Sequence, residues 1–281
     1  MPDLKDVTAK IQELQLLWTR MDKDRDLLYL TPYVLKDVKN QDVSGIINVT
    51  LNIPATFAAH VQSALMSATQ QAVVKGQDLE DEFTAEVERF LNAAFMAADE
   101  RLLSRGEPTL RAFLTEQFGV RGRGVARVTT RMEKGVLAVD ILPLDTRYFV
   151  YEMGSEGMEW GAYTTWRSAA AINQEYPGAE AKGSSLIAIT DLWDKKTNTI
   201  FMGADLTSQS IAGGKVIRAA QTHPYLEPPF AMRIVPLGSM LKDTDALAHQ
   251  GESIFFLIRD LIPELNRLAS IMQTNNMASV K

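Results

Sequence analysis

The feature that most constrains the fold is an apolar heptad pattern near the end of the sequence. Successive apolar positions there are separated alternately by four and three residues: Leu247, Gly251, Ile254, Ile258, Leu261, Leu265, Leu268 and Met272. This spacing forms one seam along a helix that is suited to packing against a long neighbouring helix. The pattern predicts a helix over residues 244–277. Pro263 lacks an amide donor, so it predicts either a kink or a break into two helices.

Helical spacing also dominates the first half of the sequence. Apolar residues recur at this spacing in residues 11–18, 54–76 and 79–104, which predicts three helices. The last of these has acidic residues at its start and arginines near its end, as the helix dipole favours. A shorter helix is predicted from Pro108 to Gly119.

The pattern changes after Gly122, where strand-like runs replace most of the helical spacing. A short helix is predicted at residues 168–176, ended by Pro177. Strands are predicted at residues 125–131, 136–142, 147–152, 159–166, 187–193, 199–202, 215–219 and 230–235. The sequence therefore predicts an α+β fold with a β-rich segment ahead of the final helix.

Composition and charge narrow the possible classes of function. The 281 residues carry a formal net charge of −6, so strong sequence-independent electrostatic binding to DNA is not expected. The absence of cysteine excludes disulfides, thiolate nucleophiles and cysteine-based metal clusters. The most apolar long stretch, residues 253–272, contains four charged residues and is therefore too polar for a simple transmembrane helix. These features indicate a soluble intracellular protein, and we expect no cofactor.

Two acidic clusters are the dense candidates for metal-dependent chemistry. One consists of Asp22, Asp24 and Asp26, and the other contains Glu80 and Asp81. Carboxylates that converge in space would hold the metal ion of a nuclease. A solvated turn and the first turn of a helix are the competing structural roles for these clusters. A metal-dependent nuclease or other DNA-processing enzyme is therefore an alternative function.

The second half of the sequence resembles the portal proteins of tailed phages. Residues 141–150 are similar to the P-x-D-x-R strand of the portal wing, with Thr146 where many relatives have proline. Residues 160–163 lead into a short helix, similar to the strand and first stem helix of that family. Residues 191–194 resemble the start of the portal clip, and residues 223–238 resemble its exit into the second stem helix. Each motif is short, and their order carries the resemblance.

The resemblance implies a portal-like α+β architecture in four segments. Residues 1–165 would form a wing with helices followed by a small β-sheet, and residues 166–185 a first stem helix and linker. Residues 186–237 would form a β-rich clip, and residues 238–281 the long second stem helix. Portal proteins usually continue with a tunnel loop, further wing structure and often a crown, and this sequence ends before those parts.

The resemblance also implies partners and a location. Portal subunits form a ring, usually a dodecamer, at one capsid vertex, and double-stranded DNA passes through its lumen. The clip docks terminase and later head-completion or tail adaptor proteins, and the wing contacts the capsid protein. In this family terminase hydrolyses ATP, so the resemblance implies a structural protein with no catalytic or metal site. It places the protein in the virion, and in the host cytoplasm during assembly, without membrane contact.

Three sets of residues receive roles from their regions. The inter-subunit seam would contain Ile254, Ile258, Leu261, Leu265, Leu268 and Met272. Polar positions of the same region would face the DNA channel: Lys242, His249, Ser253, Asp260, Glu264 and Arg267. The turn of the clip would face terminase or an adaptor: Asp194, Lys195, Lys196, Thr197 and Asn198.

Two further alternatives are a head–tail adaptor and a membrane-active pore former. Adaptors are usually smaller and lack a β insertion between two stem-like helices. The charges within the seam helix disfavour a pore in a bilayer.

Overall fold

The computed structural model describes residues 2–68, 73–75, 80–133, 135–203, 214–238 and 244–279. Helices and antiparallel sheets both contribute to it, which confirms the predicted α+β fold. The described helices are α1 (Leu4–Leu28), α2 (Ile53–Ser67), α3 (Asp81–Ser104), α4 (Leu110–Glu116), α5 (Ala169–Glu175), α6 (Thr244–Ala248) and α7 (Leu261–Ser279). The described strands are β1 (Arg123–Glu133), β2 (Val136–Leu144), β3 (Phe149–Met153), β4 (Met158–Arg167), β5 (Ile187–Asp194), β6 (Thr197–Met202), β7 (Lys215–Thr222) and β8 (Phe230–Ile234).

The chain divides into two compact units. The first unit comprises Met1–Leu16, Gln71–Leu114 and Gly124–Arg233, and the second comprises Leu17–Gln70, Thr115–Arg123 and Ile234–Lys281. A three-stranded sheet has the strand order β2-β1-β8, and a five-stranded sheet has the order β3-β4-β5-β6-β7.

Helices α3 and α4 cover the three-stranded sheet in the first unit. Their buried residues Ala98, Leu102 and Leu110 form a cluster with Ala126 of β1 and Ile141 of β2. The helical spacing of the apolar residues in α3 and the alternation in β1 and β2 bring these side chains to one contact surface. Amphipathic patterning therefore accounts for this part of the fold.

One part of the core of the second unit is a small apolar cluster. Ala58 of α2, Val120 and Phe255 are buried together. Val120 lies in a π-helical turn, Gln117–Arg121, that follows α4. These contacts position the segment that leads into α7.

The prediction of one continuous helix over residues 244–277 is wrong. The structure has the short helix α6 and then turns at residues 254–260 before α7 begins at Leu261. Gly251 has a φ of 62°, a left-handed conformation that interrupts a right-handed helix. Pro263 then falls in the first turn of α7, where its missing N–H removes no intrahelical hydrogen bond.

The predicted wing, stem and clip boundaries do not coincide with the compact units. The short helix predicted at residues 168–176 is confirmed as α5, but α5 has only seven residues, a length of about 10 Å. Strand β5 returns antiparallel to β4 and pairs with it along Trp160–Arg167. Because β6 and β7 extend the same sheet, the strands expected in a separate clip continue the sheet that β3 and β4 begin.

Candidate functional site

Helix α7 buries a polar face and leaves large apolar side chains in solvent. Asn266 and Ser270 are buried, together with Ile262 one turn before them. Leu261, Leu268 and Met272 are 54%, 53% and 65% exposed, and their spacings of seven and four residues place them on one side of the helix. We call these three residues the apolar row. An exposed apolar row of this kind is a candidate contact surface.

The buried face of α7 is attached to an extended stretch of main chain by three polar side chains, which we call the polar ladder. Four helical residues rise about 6 Å, and two extended residues span about 6.6 Å. Every fourth helical residue therefore meets every second amide of the extended chain. In each hydrogen bond a main-chain amide donates to a side-chain oxygen of α7. The Leu51 amide donates to Asn266 Oδ1 at 3.0 Å, the Val49 amide to Ser270 Oγ at 2.9 Å, and the Ile47 amide to Thr274 Oγ1 at 2.9 Å.

The change Ser270→Ala should remove the middle hydrogen bond of the polar ladder. The Ser270 side chain is fully buried, and its loss leaves the Val49 amide without its acceptor. An unsatisfied donor of this kind costs roughly 1–3 kcal/mol. We expect faster hydrogen exchange at the Val49 amide, measured by NMR or mass spectrometry.

The matched control for this prediction is Ser279→Ala, at an exposed position where the hydroxyl donates to Asn276 O within α7. This control should leave exchange at Val49 unchanged. Equal exchange rates at Val49 in the Ser270→Ala variant and the unmodified protein would contradict the role given to the ladder.

The predicted inter-subunit seam is divided between the surface and the interior. The apolar row belongs to the seam and is exposed, and Leu265 is half-buried. Ile254 and Ile258 instead pack against Val120 and Phe255 in the core of the second unit. These two residues lie in the turns before α7, so their side chains contact this unit's own core instead of extending the row along α7.

Most of the residues predicted to face a channel are exposed, although they do not lie on one helix. Asp260, Glu264 and Arg267 are exposed, and Glu264 pairs with Arg267 at 3.2 Å. The His249 side chain is 61% exposed, and its Nδ1 lies 2.8 Å from Glu252 Oε1. The surface near α7 therefore carries charges of both signs.

Ser253 is an exception, and the prediction that it faces a channel is wrong. Its side chain is buried, and its Oγ accepts a hydrogen bond from the Phe255 amide at 3.1 Å. A buried hydroxyl needs such a partner, and here it fixes the turn that precedes α7. Lys242 lies outside the described residues.

The turn predicted to face terminase is the hairpin that joins β5 and β6. The Asp194 carboxylate accepts hydrogen bonds from the Lys196 amide at 2.7 Å and the Thr197 amide at 2.6 Å. Burial raises the pKa of the Asp194 carboxyl, but these hydrogen bonds outweigh burial and hold the pKa below its usual range. Lys196 is exposed, and Lys195 Nζ lies 2.8 Å from Glu159 Oε1. The turn is thus fixed by Asp194 and presents two lysines.

Asn198 belongs to the interior and not to this presented turn. It is 3% exposed, and its Nδ2 donates to Asp191 Oδ1 at 2.5 Å and to Leu192 O at 3.1 Å. The prediction that Asn198 faces a partner protein is therefore wrong, because its amide is used to hold the neighbouring strand.

The second unit contains a buried ion network that the sequence patterns did not reveal. The Arg259 guanidinium contacts both oxygens of Asp24 at 2.6 and 2.9 Å and Glu252 Oε2 at 2.5 Å. Arg20 Nη1 lies 3.2 Å from Glu252 Oε2 and donates to Gly251 O at 2.9 Å. The side chains of Asp24 and Glu252 have no solvent exposure. The local signal for this network was a pair of charged residues, Glu252 and Arg259, within an apolar run.

Burial shifts the ionisation of the network in different directions. It raises the pKa of the Asp24 carboxyl in spite of Arg259, and it lowers the pKa of Arg20 to about 10. Burial alone would raise the pKa of Glu252, but hydrogen bonds from Arg259 and His249 have the larger effect. The pKa of Glu252 therefore lies below its usual value. Arg20 therefore remains charged at neutral pH and, with Arg259, balances the two carboxylates.

The carboxylates of the nuclease alternative lie in structural positions. Asp24 is held by Arg259, Glu80 stands at the N-cap position of α3 without a side-chain capping bond, and Asp81 lies in the first turn of that helix. In the ranges that the structure describes, no three histidine or carboxylate side chains are grouped so that they would hold a metal ion.

None of the helices within the described ranges has both the length and the apolarity of a membrane span. No family model matches the sequence, and a search of curated proteins finds no match to it.

Proposed function

We propose that this protein is a portal-type subunit, which assembles with copies of itself into a ring that conducts double-stranded DNA at a capsid vertex. The apolar row on α7 is the observation that carries the proposal. Full burial of a side chain of this kind contributes about 1.5–3 kcal/mol, and each of these three has roughly half of its surface still to bury. A contact between two different surfaces of identical subunits generates a closed ring when the rotation between neighbours closes.

The charges near the apolar row favour a channel that does not hold DNA tightly. Asp260, Glu264 and Arg267 are exposed and include both signs, and the whole chain has a net charge of −6. A uniformly basic lining would bind phosphates strongly and slow the passage of DNA. Mixed charge is therefore suited to a channel through which DNA slides.

The hairpin turn at Lys195 and Lys196 supports a docking role for the β-rich half. The turn is fixed by the Asp194 hydrogen bonds, so the two lysines are presented without a large loss of main-chain entropy on binding. Terminase and later an adaptor are the partners proposed for this turn, and the capsid protein is the partner proposed for the helical first half.

Electron microscopy of the purified protein in negative stain, with mass measured by light scattering, tests the proposal. We expect rings with a central hole and a mass near that of a dodecamer. A monomer at high protein concentration would contradict the proposal. A monomer that also cleaves plasmid DNA when magnesium or manganese is added would favour the nuclease alternative.

The change Leu268→Asp should abolish or strongly weaken ring assembly. Leu268 is half exposed on α7, so the fold tolerates a charge there, whereas a charge in a subunit interface is left desolvated and unpaired. Light scattering should show subunits in place of rings, and circular dichroism should show unchanged helix content. Leu226→Asp is the matched control, since Leu226 is 93% exposed in a loop of the first unit. Intact rings in the Leu268→Asp variant would exclude the apolar row as the interface.

A further inference from the structure

A cleft on the five-stranded sheet in the first unit carries charges that its own residues do not balance. The cleft has a volume of about 310 Å³, at the lower end of the range for ligand pockets. Paired residues on four successive strands form a row across the sheet: Tyr163 on β4, Asp191 on β5, Ile200 on β6 and Arg218 on β7. All four line the cleft. The pairing of β6 with β7 shifts register on both sides of Ile200, and at Ile200 it places Arg218 at the end of this row.

Three arginines and two carboxylates line this cleft, and two of the arginines are paired. Arg127 Nη1 lies 2.5 Å from Asp191 Oδ2. Arg167 pairs with Glu175, which also accepts a hydrogen bond from the Tyr176 hydroxyl. Three positive and two negative charges leave a surplus of one positive charge.

The surplus charge resides on Arg218. This side chain is half-buried, and its Nε is shielded from solvent with no acceptor among the residues that the structure describes. Burial raises the pKa of both Tyr163 and Tyr176 to about 12, so neither hydroxyl supplies a negative charge at neutral pH. Among the described residues this half-buried guanidinium has no counter-ion, and an anion in the cleft would offset the cost of its burial.

Trp193 forms an aromatic wall of the same cleft. Its ring packs against those of His223 and Tyr225, with centroid distances of 5.2 and 6.3 Å. The Trp193 indole nitrogen is buried and has no acceptor within the described ranges. The cleft thus combines a cation with apolar walls, which suits an anionic group on a short apolar stem.

We propose that this cleft binds a carboxylate group carried on a short side chain, with Arg218 as its counter-ion. A single negative charge neutralises the surplus, whereas a doubly charged phosphate would leave an excess negative charge beside Asp191 and Glu175. The carboxylate belongs either to an acidic residue of a partner polypeptide or to a free amino-acid-sized molecule. The inference does not depend on ring assembly.

Saturation-transfer NMR tests the proposal on the full chain, because the method works for large assemblies. The probes are N-acetylglutamate α-amide and its neutral analogue N-acetylglutamine α-amide. We expect saturable binding of the glutamate probe and at least roughly tenfold weaker binding of the glutamine probe, as loss of a charge-assisted hydrogen bond implies. Equal signals from the two probes would overturn the proposal even if no variant folded.

The variant Arg218→Gln should reduce binding of the glutamate probe by roughly tenfold or more. Lys182→Gln is the matched control, because it removes the same charge from an exposed loop residue that does not line the cleft. The assignment of Arg218 would be overturned if the Arg218→Gln variant bound the glutamate probe as tightly as the unmodified protein does. It would also be overturned if Lys182→Gln weakened binding of the probe by the same factor.

Competition identifies the ligand further. Acetate should displace the glutamate probe at lower concentration than inorganic phosphate does, and the reverse order would overturn the choice of a singly charged carboxylate. A short peptide with one glutamate flanked by glycines should bind more tightly than the single residue if a partner polypeptide is the source. Equal affinities would support the cleft as a site for a free carboxylate molecule.

Discussion

The change Arg259→Met is expected to lower the free energy of unfolding by about 3–5 kcal/mol, the usual cost of removing one partner from a buried ion pair. Arg259 contacts both Asp24 and Glu252, and neither carboxylate has any solvent exposure. Methionine fills much of the volume of the arginine stem but leaves the two buried carboxylates with weaker partners, Arg20 for both of them and His249 for Glu252. Urea unfolding at fixed protein concentration, followed by circular dichroism, measures the loss.

Arg267→Met is the matched control for this prediction. Arg267 lies on the exposed side of α7 and pairs with Glu264, where both side chains are about half in solvent. Exposed pairs of this kind contribute about 0–1 kcal/mol. A similar loss in the two variants would show that the buried network does not have the stabilising role assigned to it.

The pH dependence of the Arg259→Met variant provides a second measurement. In the unmodified protein the pKa of Glu252 lies below its usual value. Burial alone would raise it, but the hydrogen bonds from Arg259 and His249 have the larger effect. Glu252 therefore contributes stability above the usual carboxyl range, and this stability is lost as pH falls through its lowered pKa. Without Arg259, burial would raise the pKa of Glu252, and protonation would remove a buried charge. The difference in stability between the two proteins should therefore shrink as pH falls from neutral.

The second large effect is expected for Gly122→Ala. Gly122 has a φ of 73°, and a Cβ there would lie 1.6 Å from the carbonyl oxygen of Gly251. The left-handed conformation costs a non-glycine residue about 1–2 kcal/mol, and forcing main chain apart adds roughly 1–3 kcal/mol. We expect a loss of about 2–5 kcal/mol in the free energy of unfolding, measured by the urea midpoint.

Gly119→Ala is a control three residues away. A Cβ on Gly119 would meet no atom within 4 Å, and alanine favours a helical turn over glycine by up to about 1 kcal/mol. This variant should be as stable as the unmodified protein or slightly more stable. If Gly122→Ala were tolerated equally well, the close approach of Gly122 to Gly251 would not be important for folding.

Local patterns in the sequence predicted the elements whose partners are near in the chain. Helix α3 was predicted at residues 79–104 and spans Asp81–Ser104. The paired strands predicted at residues 125–131 and 136–142 are β1 and β2, with a few more residues at their ends. Helical and strand periodicity determine these elements because amphipathic faces form before distant contacts are needed.

The orientation of α7 was not predictable from its own pattern. The heptad pattern identified the apolar residues correctly, but it does not specify whether their partner is in the same chain. The buried face is instead selected by the extended segment at residues 47–51, more than 200 residues earlier. Polar residues at spacings of four, Asn266, Ser270 and Thr274, were the signal in the sequence that marked this face.

The buried ion network depends on equally distant partners. Arg20 and Asp24 lie near the start of the chain, while Glu252 and Arg259 lie near its end. The acidic run at residues 22–26 alone is typical of a solvated turn, so sequence reasoning assigned Asp24 to a solvated turn or a metal site. Burial of these charges follows from tertiary packing, which local periodicity does not encode.

The polar ladder has a consequence for how the chain tolerates sequence drift. Its three hydrogen bonds end on main-chain amides of residues 47, 49 and 51, and every amino acid except proline supplies the same amide. Substitutions at these three positions therefore preserve the bonds unless they introduce proline. The matching helix positions have no such freedom, because each must provide an acceptor of the right reach. Mutational constraint on this contact thus falls almost entirely on α7.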